Sequence, residues 1–416
     1  IAYDAELPLN PASTMKLVTT YAGLSLLGPD YRWRTEARLR GVLREGVLHG
    51  DLVLRGGGDP KLVIEDLTEF VARMRAAGLE EIDGDLVLDD AIFDTGPRSV
   101  DDFDGELSQP YNVRPFGALM NFKSTRIVVR PAGRRAQIAF DPALADVAVD
   151  NRVRLVGGPC RFGASGLQVR DGVRRGEPSV SVSGSYSRAC GEQGLFAAML
   201  DHRQFVHALF KAAWQAAGGR WSGHTRIERG ASIGEPWLVW VSPRTLADVV
   251  HDINKFSNNV MTRQLMLQVA AEAGTHPATA AAARRVIGDW LDAQGLRFRG
   301  LLLDNGSGLS RDSRASAAQL AQLLRHAAAG PLADLVRDSL PVVGIDGTMK
   351  ARLAGEPIAG RAWIKTGSLE GVRSIAGYVQ AASGRRYSVA LIVNGPAAAA
   401  SRALQDEFLR WVYANG

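Results

Sequence analysis

A chain of 416 residues that is 46% hydrophobic can bury a large core, and the length suits two or three domains. Its net charge of +5 comes without a dense Lys/Arg block or an aromatic-interleaved basic stripe, which argues against a nucleic-acid partner. The basic balance is compatible with an anionic polymer or peripheral association with an anionic membrane surface, but a well-solvated arginine-rich surface is the plainer reading.

In chain order, Asn10-Pro11-Ala12-Ser13-Thr14-Met15-Lys16 opens an apolar run. Asn10 suits an N-cap and Pro11 a first helical position, so the pattern predicts a helix from Pro11 to about Leu27, ended by Gly28-Pro29. Ser13 and Lys16 then share one face, an amine one turn from a hydroxyl. A serine hydroxyl becomes a useful nucleophile when a base takes its proton, and an amine serves once burial or a second cation lowers its pKa.

Strand alternation follows at Arg38–Val42 and Val47–Leu54, around the hairpin signal Arg44-Glu45-Gly46. Gly56-Gly57-Gly58-Asp59-Pro60 lacks the Lys-Ser/Thr of a phosphate loop and reads as a turn. Asp66–Ala77 is amphipathic, Gly84–Asp89 strand-like, and the stretch from Phe93 to about Leu195 reads as mostly β, with short strands at Arg126–Arg130, Arg152–Val156, Leu167–Val169 and Ser179–Val182. Helix is expected at Arg203–Ala217, Thr245–Phe256, Met261–Ala273, Ala278–Gln294 and Ala315–Ala329, with Ser257-Asn258-Asn259 linking the second and third. Strands are expected at Ala362–Thr366, Arg373–Gln380 and Tyr387–Val393. Gln405–Tyr413 is a last amphipathic helix whose short apolar face suits packing on a sheet better than membrane anchoring.

No run of 18 apolar residues occurs, and no signal peptide is visible, although an opening at Ile1 without Met is compatible with a trimmed export signal. The seven histidines offer no metal-ligand spacing, so neither a metal nor another cofactor is expected. Cys160 and Cys190 flank a Gly/Ser-rich segment; a disulfide closing it, with the oxidising compartment this implies, is preferred over two buried free thiols.

Ser13-x-x-Lys16, Ser257-x-Asn259 and Lys365-Thr366-Gly367 together, in this order, form the set that marks the serine penicillin-recognising enzymes. The interval between the first two motifs is far longer than a simple β-lactamase needs. With Asp304-Asn305-Gly306-Ser307-Gly308-Leu309-Ser310-Arg311, Asp346-Gly347-Thr348 and Leu52–Pro60, the chain resembles the low-molecular-mass class C penicillin-binding proteins, the D-alanyl-D-alanine carboxypeptidase/endopeptidases. The resemblance implies an α/β catalytic domain, an antiparallel sheet with helices, from residues 1–34 and 236–416. It would be interrupted by a β-rich insert at 35–235, two domains one nested in the other.

The resemblance also implies a periplasmic or otherwise extracytoplasmic location, peptidoglycan stem peptides as substrate, and β-lactams as covalent inhibitors. Ser13 would be the nucleophile, Lys16 its base, Ser257 a proton relay, and Asn259 a partner of Lys16 and of the substrate amide. Lys365, Thr366 and Ser368 would hold the substrate carboxylate, and Gly367 would let it approach the backbone. The oxyanion hole would use the N–H groups of Ser13 and Ser368. Arg311, Glu106, Tyr111 and Glu370 are candidates for the side-chain pocket, with Asp104 competing for the acid role of Glu106. The alternatives are a β-lactamase or esterase on the same scaffold and a catalytically silent penicillin-binding sensor. Oligomeric state and the carboxypeptidase–endopeptidase balance leave no mark in the sequence.

Overall fold

The computed structural model describes residues 2–96, 103–174 and 176–416; Ile1, residues 97–102 and residue 175, the last two inside the stretch read as mostly β, lie outside the described residues. Contacts divide the chain into two compact units. The first comprises Ile1–Arg32, Phe93–Gly96 and Pro243–Gly416, and the second Trp33–Ile92 and Pro97–Ser242.

In the first unit, strands Ala362–Leu369, Val372–Gln380 and Arg386–Asn394 form an antiparallel sheet. The helix Arg402–Asn415 packs against it, and Leu409 and Val412 join a buried cluster with Ile364, Ile375 and Val379. Apolar residues on one face of this helix find the sheet, which buries them at roughly 1.5–3 kcal/mol per large side chain. The helix Lys16–Leu27 is buried along nine consecutive residues, Lys16 to Leu24. It touches helices Leu246–Phe256, Asn259–Glu272, Ala280–Ala293 and Ala317–Ala329. One edge is fixed by Tyr21, whose ring meets Trp290 edge-on at 5.3 Å and whose hydroxyl lies 2.8 Å from His326 Nδ1. Phe93 rejoins this unit by bridging to Ala278.

The helix expected from Pro11 is in two parts, a 3₁₀ turn Ala12–Met15 followed by the α-helix from Lys16. Ala12 has a φ of 46°, which an unbroken α-helix does not admit. Helix Asn259–Glu272 also begins earlier than the sequence suggested, because Asn258 caps it by accepting from Met261 N–H at 3.0 Å.

The second unit carries a mixed sheet in the order Arg220–Trp221, Glu81–Ile82, Val47–Arg55, Arg34–Arg44, Leu238–Val241, to which Leu86–Asp89 and Thr225–Ile227 add. Helices Ile64–Ala76 and His202–Ala216 contribute to its core through Phe70, Met74, Phe205, Phe210 and Trp214. Two smaller sheets follow: Gln193–Ala197, Thr125–Ala132, Arg135–Asp141; and Ala148–Val156, Glu177–Ser187, Gln168–Arg174. Cys160 and Cys190 are joined in a disulfide. No helix among the described residues is long and apolar enough to cross a membrane.

Candidate active site

Ser13 is positioned by the residues before it. Asn10 is not the expected N-cap, since Pro11 takes that position before the 3₁₀ turn; its Oδ1 instead accepts from Ala12 N–H at 2.9 Å and closes a turn around Pro11. The same side chain donates to Ser310 O at 2.8 Å, and the Asn10 backbone exchanges bonds with the Asn394 amide at 2.8 and 2.9 Å. Asn10 therefore ties the start of the helix to the 304–311 loop and to the end of the third strand. Ser374, on the middle strand, donates to Pro11 O at 2.5 Å and lies 3.2 Å from Thr14 Oγ1. Neither Asn394 nor Ser374 carried a signal in the sequence, since the partners of each lie hundreds of residues away in the chain.

Two glycines admit this close approach. A Cβ on Gly367 would lie 2.2 Å from Ser374 Oγ and 2.9 Å from Ser13 N. One on Gly308, whose φ is +73°, would lie 1.9 Å from Ala12 O. The strand Ala362–Leu369 and the 304–311 loop thus both pack against the Ala12–Ser13 peptide, and only glycine fits at either point. The loop holds itself by Asn305, whose Oδ1 accepts from the Ser307 N–H at 3.0 Å and from its hydroxyl at 2.7 Å.

Lys16 Nζ lies 3.1 Å from Ser13 Oγ, 2.6 Å from Asn259 Oδ1 and 2.6 Å from Ser307 O. Lys365 Nζ donates to Ser257 Oγ at 2.8 Å and to Thr366 O at 2.9 Å. Ser257 ends the helix Leu246–Phe256 in a left-handed conformation, φ 58°, and Asn259 opens the next helix, so a break of two residues presents both side chains. Both amines are fully buried. Burial lowers the Lys16 pKa well below its ordinary value, and the charges of Lys365 and Arg263 lower it further. Burial alone brings Lys365 to about 7. The repulsion falls on Lys16 because it releases its proton first, and Lys365 then has a neutral neighbour. Near neutral pH Lys16 is accordingly the neutral amine, while Lys365 stands at its own midpoint and becomes the ammonium as the pH falls below 7.

The remaining candidates fall into two groups. Thr366 Oγ1 donates to Thr348 Oγ1 at 2.9 Å, beside an anchor in which Asp346 takes Lys255 Nζ at 2.6 Å and Val342 N–H at 2.7 Å. Ser368 is exposed on the same strand. Arg311 pairs with Glu370 at 3.4 Å, both well exposed, a contact worth little to stability. Glu106 and Tyr111 belong to the second unit, around Asp104. Asp104 accepts from the Tyr111 hydroxyl at 2.8 Å, from Asn112 Nδ2 at 2.6 Å and from Glu106 N–H at 3.1 Å. Burial and the bond to Asp104 push Tyr111 up to about 12, while the bonds Asp104 receives outweigh its burial and lower its own pKa. Asp104, rather than Glu106, is thus the organised carboxylate of this loop. Among the described residues no group of His, Cys, Asp or Glu is arranged to hold a metal ion.

Known proteins are similar to this chain along nearly its whole length. A D-alanyl-D-alanine carboxypeptidase of Actinomadura sp. (strain R39) is 30% identical over 432 residues, covering 97% of this chain and 76% of that protein. The D-alanyl-D-alanine carboxypeptidase DacB of Haemophilus influenzae is 25% identical, covering 94% of this chain and 82% of that protein. The crystal structure of penicillin binding protein 4 (dacB) from Haemophilus influenzae superposes with a TM-score of 0.81 at 24% identity, covering 98% of this chain and 93% of the other. That likeness bears out the expected α/β penicillin-recognising fold. The D-Ala-D-Ala carboxypeptidase 3 (S13) family profile matches residues 1–414, and the chain belongs to that family.

Proposed function

We propose that the chain is a serine D,D-peptidase that cleaves the bond between the two terminal D-alanines of a peptidoglycan stem peptide and/or D-alanyl–diaminopimelate crosslinks, through an acyl-enzyme on Ser13. The observation that carries the reading is the environment of Lys16. A neutral amine has two N–H groups and one lone pair. Asn259 Oδ1 and Ser307 O, each 2.6 Å away, take the two N–H groups, and the lone pair is left for the hydroxyl of Ser13 at 3.1 Å. An amine fixed in this way, with its pKa lowered by burial, is a general base for a hydroxyl.

In the first step the Ser13 proton passes to Lys16 Nζ while Oγ bonds the carbonyl carbon of the penultimate D-alanine. The oxyanion forms beside the N–H groups of Ser13 and Ser368, where one such donor is typically worth about 10²–10³ in rate. Collapse breaks the C–N bond, and the leaving amine takes the proton from Lys16, with Ser257 as the relay. Lys365, held by Ser257 and Thr366 O, retains a third N–H for the substrate carboxylate, beside the hydroxyls of Thr366 and Ser368. Water then releases the acyl group from Ser13. The Cys160–Cys190 disulfide supports an extracytoplasmic location.

The test is release of D-alanine from a diacetylated Lys-D-Ala-D-Ala peptide, together with stoichiometric labelling by a fluorescent penicillin. Both are expected to vanish in Ser13→Ala. Labelling that persists in this variant would refute the assignment, and rapid hydrolysis of the penicillin would favour a β-lactamase instead.

A further inference from the structure

The excess positive charge is concentrated in one part of the chain. Residues 126–192 hold eleven arginines and no lysine against six acidic residues, a net of +5 that equals the net charge of the entire chain. Part of this segment is the three-stranded sheet of Ala148–Val156, Glu177–Ser187 and Gln168–Arg174, with Glu177–Ser187 in the middle. Side chains alternate across a sheet. Val153, Leu155, Val169, Val180, Val182 and Tyr186 face the core of the unit.

The opposite face has a row of small hydroxyls along its centre, accessible at Ser181, Ser183 and Ser185 and buried at Ser179. Arginines flank that row on both sides. Arg152 and Arg154 stand opposite Ser183 and Ser185 on one neighbour, and Arg170 and Arg174 stand opposite Ser181 and Glu177 on the other. All four are exposed. Arg152 pairs with Asp150 at 2.7 Å, and Arg154 reaches Ser185 Oγ at 3.5 Å. Arg154, Arg170 and Arg174 have no ion pair among the described residues. At the strand rise of about 3.3–3.4 Å per residue, the arginine-bearing rows run for roughly 27 Å.

We propose that this face, with a serine floor and arginine walls, binds an acidic polysaccharide, a glycan chain carrying carboxylates at intervals. Short serines leave room for an extended chain between long arginines, and a serine hydroxyl both donates to and accepts from a sugar hydroxyl. The guanidinium fork matches a carboxylate in two parallel bonds. A row of this length exceeds what a single small anion uses. Asp150 and Glu177 stand among the arginines and disfavour a partner as densely charged as nucleic acid, and among the described residues of these three strands no aromatic side chain stands on this face for a base to stack on. Its apolar side chains are Ala148 and Val156, too few to enter a bilayer.

The experiment measures binding of the full chain to polygalacturonate, with neutral dextran, phosphatidylglycerol vesicles and duplex DNA as the other arms. Polygalacturonate is expected to bind, dextran not to bind, and vesicles and DNA to bind more weakly. The interaction should weaken as salt rises from about 50 to 200 mM, as exposed charges do. The triple variant Arg154→Ser/Arg170→Ser/Arg174→Ser should lose about tenfold or more in affinity. Ser183→Asp, which keeps every arginine and places a carboxylate in the floor, should weaken binding as well. Both variants should keep the labelling of Ser13 by penicillin. Undiminished binding in both variants, no binding of polygalacturonate, or tighter binding of vesicles or DNA would overturn the proposal.

Discussion

Replacing Lys365 by methionine should make the protein more stable near neutral pH, by an amount that disappears as the pH is raised. Burial brings the Lys365 pKa to about 7, against about 10.4 for a lysine in an unfolded chain. Between those values the unfolded chain binds more protons than the folded one, so stability rises with pH, by roughly 1.4 kcal/mol per unit for this one amine. Below pH 7 both states carry the proton and the full cost of burying a charge is present, on the order of 4–5 kcal/mol. Methionine fills similar volume without titrating. It also loses the bonds to Ser257 and Thr366 O, but that loss does not depend on pH and leaves the slope untouched. Urea unfolding of both proteins at pH 6, 7, 8.5 and 9.5 measures the difference. The variant's relative stability should be greatest at pH 6–7 and fall steadily towards pH 10. A difference that stays flat over this range, or that grows with pH, would refute the claim that a lysine ammonium is buried here at a cost.

Acylation by penicillin should fall as the pH drops through the lowered pKa of Lys16, because the neutral amine is the active form. Lys16→Arg, protonated at any working pH, should lose about 10²–10⁴ in acylation rate; an unchanged rate by stopped-flow labelling would remove Lys16 from the base role. Gly308→Ala puts a methyl 1.9 Å from Ala12 O at a φ of +73°, so acylation should drop sharply while circular dichroism still reports a folded chain. Cys160→Ser/Cys190→Ser opens a cross-link between residues 30 apart, which in the chain-entropy account removes about 3–4 kcal/mol; a thermal midpoint equal to that of the native protein would contradict this.

The chemistry was legible in the sequence where it resides in short motifs. Ser13 and Lys16 meet because a helical turn brings them together, and Ser257, Asn259 and Lys365 come from motifs whose order alone pointed to the set. What holds them was less visible. Ser307 supplies Lys16 with a backbone carbonyl, which every residue has, so the sequence marked the loop and not the atom. Asn10 was readable as marking the start of the helix but not as its link to two segments that lie 300 and 384 residues further along the chain. The 3₁₀ turn before Lys16 was hidden because alanine gives no warning of a positive φ; the packing of Gly308 and Gly367 against it holds that conformation. The strand Arg135–Asp141 and the helix Ala333–Ser339 were missed for a different reason. The helix is only seven residues long and shows no clear period; the strand does alternate, with Ala136, Ile138 and Phe140 turned inward, but small Ala136 and the exposed Ala139 blur the contrast between its two faces in the sequence.

The site and the fold meet in the helix that carries Lys16. An amine in water has no reason to lose its proton at neutral pH, so the base exists only as long as the packing around it excludes water. Met15, Leu17, Val18 and Ala22 are almost wholly buried beside it, and each large apolar side chain contributes roughly 1.5–3 kcal/mol. The cost of holding a charged Lys365 nearby is therefore offset by the burial of two or three such side chains. Charge alone would not suffice: a solvated Lys365 would be screened and would move Lys16 little. The same apolar shell thus keeps both amines dry, lets one cation act on the other at low dielectric, and fixes the acceptors that aim the lone pair. A looser shell would hydrate the amines, relieve their burden on stability and leave Ser13 without a base.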